Sequence, residues 1–128
     1  MKIEHIAIWT SDLEKMRDFY LRFFELESNE KYYNPKKEFS SYFLSFEKGA
    51  RIELMHRPDI SEFMDNRGTK LGLTHFAISV GSKKKVDTLT ETIRKNGFKV
   101  IGEPRTTGDG YYESVIADPE GNWIEITE

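Results

Sequence analysis

Two stretches of the chain have the same layout, EHIAIWTSDLEKMRDFYLRFF (residues 4–24) and THFAISVGSKKKVDTLTETIR (residues 74–94). Each begins with alternating apolar residues typical of a strand, passes through a short turn, and continues with apolar residues at helical spacing. Two later stretches, SYFLSFEKGARIELM (41–55) and YYESVIADPEGNWIEIT (111–127), also correspond. Each of these contains a strand, a glycine-containing turn and a returning strand. The chain therefore contains two tandem copies of one supersecondary pattern.

The periodicity predicts the elements of both copies. The predicted strands cover residues 2–9, 40–46, 50–56, 72–80, 98–101, 111–117 and 122–127. One predicted helix begins at a capping-box pattern formed by Ser11 and Glu14, and the other spans 83–95 with Gly97 at its C-terminal end. A single helical turn is predicted within ISEFMDN (60–66).

These elements predict an α+β fold of two tandem modules, with helices packed on one face of largely antiparallel sheets. Module one covers about residues 1–57, the linker about 58–70, and module two about 71–128, and together they form one domain over residues 1–128.

Composition and charge argue against several classes of function. The 128 residues have a formal net charge of −3 and no basic cluster beyond Lys83–Lys85, which predicts no nucleic-acid partner. No apolar run approaches the roughly 20 residues that span a membrane, and the N-terminus lacks the layout of a secretory signal. The absence of cysteine excludes thiolate chemistry and suits a cytoplasmic protein. A small-molecule ligand is the expected partner.

Strand alternation places one ionisable residue in the middle of the same face of four strands. These residues are His5, Glu53, His75 and Glu125. Taken singly, each histidine fits a hydrogen-bonded core residue and each glutamate fits the solvated face of a strand. If the modules pair symmetrically, the four residues converge in one pocket. Two imidazoles and two carboxylates then form a credible first shell for a divalent metal such as Zn, Ni, Co or Mn.

Other residues are candidates for binding a substrate. Trp9, Arg51 and Trp123 share the predicted ligand face, although packing against the partner module explains them equally well. Arg105 and Tyr111 belong to the glycine- and threonine-rich stretch EPRTTGDGYYESV (103–115), which is either a lid over the cleft or a long hairpin loop. His56 lies on the opposite strand face from Glu53, at the edge, and is not expected to bind metal.

The segments HIAIW (5–9), RIELM (51–55), LTHFAISV (73–80) and DPEGNWIEI (118–126) resemble the vicinal oxygen chelate superfamily of glyoxalases, bleomycin-resistance proteins and dioxygenases. The resemblance covers residues 2–127 and implies paired βαβββ modules whose sheets curl around a metal cleft. It maps the four ligand positions of the glyoxalase I type onto His5, Glu53, His75 and Glu125.

The full ligand set discriminates among the activities of this superfamily. The resemblance implies that dioxygenases and fosfomycin-modifying enzymes do not need the Glu53 position, that methylmalonyl-CoA epimerase has Gln there, and that bleomycin-binding members lack the metal set. It therefore implies a metal-dependent, lactoylglutathione lyase-like lyase or isomerase, with Glu125 as the base and Glu53 as its symmetry mate. The alternatives are a ligand-sequestering resistance protein, or an epimerase, dioxygenase or thiol transferase.

Two positions depart from the glutathione-binding pattern. Glyoxalase I proteins often carry Arg four residues after the first ligand histidine, where this chain has Trp9. They also carry Asn shortly after the first ligand glutamate, where this chain reads LMHRPD (54–59). The resemblance also implies a homodimer, and the modules could then pair either within one chain or between two chains.

Overall fold

The computed structural model describes residues 1–61 and 67–128, in two compact units, Met1–Phe63 and Met64–Glu128. The first unit contains β1 (His5–Trp9), α1 (Leu13–Phe23), β2 (Glu27–Ser28), β3 (Tyr32–Asn34), β4 (Phe39–Ser45) and β5 (Arg51–His56). The second contains a short 3-10 helix (Arg67–Thr69), β6 (His75–Ser79), α2 (Lys83–Lys95), β7 (Val100–Thr106), β8 (Tyr112–Ala117) and β9 (Trp123–Thr127). None of the described helices is long and apolar enough to cross a membrane.

The two sheets repeat one topology. The first has the order β1-β5-β4-β2, with β3 also pairing with β4, and the second has the order β6-β9-β8-β7. In both sheets the first strand runs parallel to the last strand, and the other pairs are antiparallel. The predicted α+β fold of two tandem βαβββ modules is therefore confirmed.

In each unit, one face of the sheet packs on the helix and forms the core. In unit one, α1 lies against β4 and β5, with Met16, Tyr20, Leu44 and Leu54 fully buried. In unit two, α2 lies against β7, β8 and β9. The fully buried apolar side chains of this unit are Val86 and Ile93 on the helix and Ile116, Ile124 and Ile126 on the strands.

One buried polar pair belongs to the core of unit two. The Thr90 hydroxyl lies 2.6 Å from the Ser114 hydroxyl and donates to the Val86 carbonyl at 2.7 Å. Ser114 therefore donates to Thr90, and both hydroxyls are satisfied although they are buried.

The first helix begins one residue later than the predicted capping box implies. Asp12 is the N-cap, and its carboxylate accepts from the Lys15 amide at 3.0 Å. A charged carboxylate interacts more strongly with the helix N-terminus than a hydroxyl does. The Glu14 carboxylate accepts hydrogen bonds from Lys31 and Tyr42. The second helix matches its prediction at Lys83–Lys95, and Gly97 follows it with φ of 84°.

The strand predictions were wrong for five strands. β2 and β3 were missed because two and three residues are too few to show alternation. β7 extends to Thr106, through Pro104, which is tolerated because β7 is an edge strand. Strands β1 and β6 begin at His5 and His75, later than predicted. The predicted turn at 60–66 falls mostly on residues 62–66, which lie outside the described residues.

The stretch 103–115 is a hairpin. Its two arms belong to β7 and β8, and the turn closes through hydrogen bonds from the Thr107 amide to the Tyr111 carbonyl and from the Gly110 amide to the Thr107 carbonyl. Gly110 takes φ of 95°, which glycine adopts without steric cost. The long-loop interpretation of this stretch was therefore wrong in extent, because only residues 107–111 lie outside the strands.

The core should tolerate truncation far less well than the surface. Ile116→Ala, at a side chain with 0% exposure, should lower the free energy of unfolding by about 2–5 kcal/mol because it leaves a cavity. Ile3→Ala, at a residue with 67% exposure, makes the same chemical change outside the core and should cost less than about 0.5 kcal/mol. Urea unfolding of the two variants checks this, and equal costs would contradict the assigned core.

Candidate functional site

Each unit places one histidine and one glutamate on adjacent parallel strands. In the β1–β5 pair Ala7 lies directly opposite Glu53, and in the β6–β9 pair Ala77 lies opposite Glu125. Each histidine comes two residues before its alanine, so it shares the glutamate's face of the sheet. The small alanine side chain leaves the glutamate free to lean diagonally toward the histidine.

The two histidine–glutamate pairs have similar geometry. His5 Nε2 lies 3.7 Å from Glu53 Oε2, and His75 Nε2 lies 3.2 Å from Glu125 Oε2. The exposed fractions of the side chains also match, with 39% and 38% for the histidines and 15% and 16% for the glutamates. Each pair is therefore a half-buried carboxylate next to an accessible imidazole nitrogen.

The surroundings of His5 include a second carboxylate. His5 Nδ1 lies 2.5 Å from Glu4 Oε2, and Arg51 Nη2 donates to the other oxygen of Glu4. The His5 hydrogen bond and, after it, Arg51 lower the pKa of Glu4. The guanidinium of Arg51 stacks 4.1 Å from the centre of the Phe43 ring, whose plane is perpendicular to the His5 ring at 5.5 Å.

The surroundings of Glu125 include further charges. Burial and the neighbouring Glu113 carboxylate raise the pKa of Glu125, against smaller opposing effects of His75 and Arg105. Arg105 Nη2 lies 3.4 Å from Glu113 Oε1. The Arg105 guanidinium also lies over Gly102, where an added Cβ would come within 3.0 Å of Nη1. Glu125 therefore keeps its proton to a higher pH than an ordinary glutamate does.

The donor atoms fit a divalent metal. Zn²⁺ holds imidazole nitrogen and carboxylate oxygen at about 2.0–2.2 Å, so neighbouring ligand atoms on one ion lie about 3–3.5 Å apart. The 3.7 and 3.2 Å separations are close to that range. Within each unit, the described residues supply a pair of ligands and no group of three His, Asp or Glu that could hold an ion. A complete first shell thus needs more than one pair.

The predicted substrate residues have diverse contacts. Trp9 packs edge-on to Phe39 with ring centres 6.1 Å apart, and the Arg57 guanidinium lies 5.4 Å from its ring centre. Phe39 in turn contacts Tyr32, at 6.1 Å. These three rings form an aromatic cluster (Trp9, Phe39 and Tyr32) at the opposite end of β1 from His5. Such a cluster suits an apolar or planar ligand group.

Trp123 packs within its own unit. An added Cβ at Gly68 would come within 2.1 Å of the indole ring, so the 3-10 helix lies directly against it. Beside it, Arg67 donates to the Asn122 side chain. Tyr111 is 59% exposed, and its carbonyl closes the β7–β8 hairpin. His56 Nδ1 lies 2.9 Å from the Thr10 carbonyl, which gives His56 a structural hydrogen bond.

Sequence reasoning missed Glu4, Phe43 and Glu113. Glu4 directly precedes His5, so its adjacency was a signal, but neighbouring residues normally point to opposite faces. Phe43 lies opposite Glu53, and Glu113 lies opposite Thr127 on the face of Glu125. Their placement depends on the pairing register, which the sequence of one strand does not contain.

A family model described as the Glyoxalase/Bleomycin resistance protein/Dioxygenase superfamily matches residues 2–126. The protein called Uncharacterized protein YqjT from Bacillus subtilis strain 168 is 30% identical over 129 residues, covering 97% of this chain and 96% of its own. A lactoylglutathione lyase from Escherichia coli O157:H7 is 29% identical over 134 residues, with 100% and 93% coverage.

Among solved structures, glyoxalase I from Zea mays superposes with a TM-score of 0.80 at 25% identity. The match covers 98% of this chain and 44% of the maize chain, so this chain spans less than half of that enzyme. The fold, the sequence similarity and the family match over residues 2–126 all point to the same superfamily. The chain belongs to the Glyoxalase/Bleomycin resistance protein/Dioxygenase superfamily.

Proposed function

We propose that the chain is a divalent-metal-dependent lyase or isomerase of the glyoxalase I type. The observation that carries the proposal is the repeated histidine–glutamate pair, His5 with Glu53 and His75 with Glu125, at 3.7 and 3.2 Å. A cation bound between the imidazole nitrogen and the half-buried carboxylate would compensate for the burial of that charge, which supports a metal at these pairs. The two pairs would hold one ion, from one chain or from two copies in a homodimer.

The residues suggest a division of roles. When bound, the metal (Zn, Ni, Co or Mn) would act as a Lewis acid toward two adjacent substrate oxygens. Glu125 would remove the proton from the carbon next to the carbonyl and return it to the neighbouring carbon, so no proton is gained or lost overall. The raised pKa of Glu125 favours this role, because a base with a higher pKa captures a carbon-bound proton more readily.

The proposed substrate is a small molecule with two adjacent oxygens. The 29% identity to a lactoylglutathione lyase supports a hemithioacetal of methylglyoxal. Trp9, a member of the aromatic cluster, occupies the position at which glyoxalase I proteins often carry a glutathione-binding arginine. An aromatic residue there favours a less polar thiol than glutathione. Arg51, Arg105, Tyr111 and Trp123 remain proposed substrate-binding residues.

A second candidate function is supported by the same aromatic cluster. Trp9, Phe39 and Tyr32 could hold a planar ligand without any metal, as a sequestering resistance protein would. The two functions differ in their need for metal, because sequestration does not use the histidine–glutamate pairs.

Metal binding separates the two functions. Protein without a histidine tag, first freed of metal by a chelator and then supplied with a divalent metal, should bind that metal stoichiometrically. Elemental analysis measures the stoichiometry, and chelator competition measures the affinity. His5→Ala and His75→Ala should each weaken affinity at least about 100-fold, beyond the effect typical of outer-shell changes. His56→Ala is the matched control, since His56 binds the Thr10 carbonyl, and it should leave affinity unchanged. A wild type that takes up no metal would contradict the metal-enzyme proposal.

Turnover tests the role of Glu125. The metal-loaded wild type should convert methylglyoxal in the presence of at least one of a panel of thiols that includes glutathione. Glu125→Gln keeps the shape of the side chain but removes the base, so kcat should fall about 10²–10⁴-fold. Glu47→Gln, an exposed glutamate in the β4–β5 turn, is the control and should retain full activity. Undiminished turnover by Glu125→Gln would exclude Glu125 as the base.

The metal-free protein should show the cost of the Glu125 carboxylate. Because the pKa of Glu125 is raised in the folded state, the free energy of unfolding should fall as pH rises from the unfolded pKa of about 4.3 through the folded pKa, and it should stay lower above that pH. In chelator at pH 7.5, Glu125→Gln should therefore be more stable than wild type, and the difference should vanish near pH 4. Urea unfolding across pH measures this, with Glu47→Gln as control. A destabilised Glu125→Gln at neutral pH would contradict it.

A further inference from the structure

The two histidines occupy the same position in the repeat but have different neighbours. Glu4 precedes His5, whereas Thr74 precedes His75. Arg51 lies opposite His5 on the adjacent strand, whereas Trp123 lies opposite His75. The position opposite the glutamate is Phe43 in unit one and Val115 in unit two. Among the described residues, Glu4 with its cationic support Arg51 therefore accompanies His5, whereas Thr74 and Trp123 take the corresponding places at His75.

The contact with Glu4 determines which nitrogen of His5 carries hydrogen. A carboxylate can only accept hydrogen bonds, and Glu4 Oε2 lies 2.5 Å from His5 Nδ1, so Nδ1 must donate. Neutral imidazole has a single N–H, and the lone pair therefore lies on Nε2. Nε2 is the atom that faces Glu53. The contact leaves the lone pair directed at the place where a cation would be held.

Arg51 keeps Glu4 in place. Glu4 has an exposed side chain, and an unsupported carboxylate there would be free to turn into solvent. Its two oxygens are divided, since Oε1 accepts from Arg51 and Oε2 accepts from His5. Arg51 is in turn stacked on Phe43, which also contacts His5. The contacts close a ring of four side chains, and each member restrains the next.

We propose that Glu4, held by Arg51, is a positioning residue that fixes neutral His5 as the Nδ1–H tautomer and presents Nε2 as the metal-binding nitrogen of unit one. A carboxylate on the outer nitrogen of a ligand histidine orients the ring and raises its basicity, and losing such a partner typically costs 10–100-fold in metal affinity. His75 has no anionic residue before it in sequence, so the two histidines are unequal ligands. The inference rests on the proposed function only where it concerns metal.

The tautomer is measurable without metal. Proton–nitrogen correlation spectra of ¹⁵N-labelled, chelator-treated protein at about pH 8, where an ordinary histidine is neutral, distinguish the two tautomers. His5→Ala and His75→Ala assign the signals. His5 should be in the Nδ1–H form in the wild type and should lose that preference in Glu4→Ala. A wild-type His5 in the Nε2–H form would overturn the inference, and this test remains available even if Glu4→Ala fails to fold.

Metal affinity provides the second measurement. Chelator competition with Zn²⁺ should show 10–100-fold weaker binding for Glu4→Ala and a smaller loss for Arg51→Gln. Thr74→Ala alters the matching position before His75 and should leave affinity within about threefold of wild type. If the wild type binds Zn²⁺ and Glu4→Ala binds it equally well, the positioning role is wrong. A wild type that binds no Zn²⁺ but shows the expected tautomer would refute the proposed function and leave the tautomer assignment standing.

Arg51 can be tested separately as a substrate-binding residue. In the positioning role, Arg51→Gln should shift the His5 tautomer population and weaken Zn²⁺ binding. If Arg51→Gln instead raises KM for the active thiol adduct and leaves tautomer and Zn²⁺ affinity unchanged, the assignment of Arg51 as the support of Glu4 is overturned.

Discussion

The candidate site depends on the parallel pairing of the first and last strand of each module. Parallel register sets Ala7 opposite Glu53 and Ala77 opposite Glu125, which puts each histidine on the diagonal from its glutamate. A slip of one residue would turn every side chain of that strand to the other face and would bury the ionisable group among isoleucines. Burial of the apolar strand faces therefore fixes the register, and the register places each histidine next to its glutamate.

The two units share one topology, but the charged residues around their histidine–glutamate pairs differ. Unit one adds its extra charges around the histidine, through Glu4 and Arg51. Unit two adds them around the glutamate, through Glu113 and Arg105, at a place where unit one has the uncharged Ser41. The two histidine–glutamate pairs are therefore alike in geometry and different in their electrostatic surroundings. Under the proposed function, the raised pKa of Glu125 would favour it over Glu53 as the base.

The environment of Glu125 also opposes stability. Burial and the adjacent Glu113 raise the pKa of Glu125, so we expect the ionised Glu125 carboxylate to lower the stability of the metal-free chain. Groups kept despite such a cost are common at functional sites, where activity and stability compete.

The sequence by itself determined the repeat, the two α-helices and the alternation of the four strands that carry the ligand candidates, β1, β5, β6 and β9. It did so because periods of 2 and 3.6 residues follow directly from backbone geometry. The strand faces of His5, Glu53, His75 and Glu125 follow from the same alternation and could be predicted. What was missed was either too short for a period, as β2 and β3 are, or depended on contacts between strands.

Only the tertiary structure decided which neighbours surround each ligand candidate. Glu4 is adjacent to His5 in sequence, but its partner Arg51 lies on another strand and meets it through pairing of β1 with β5. Glu113 likewise approaches Glu125 only because β8 pairs with β9. Sequence periodicity specifies the face on which a side chain lies. The electrostatic environment of that side chain depends on distances of a few ångströms between strands, and those distances exist only once the sheet has formed.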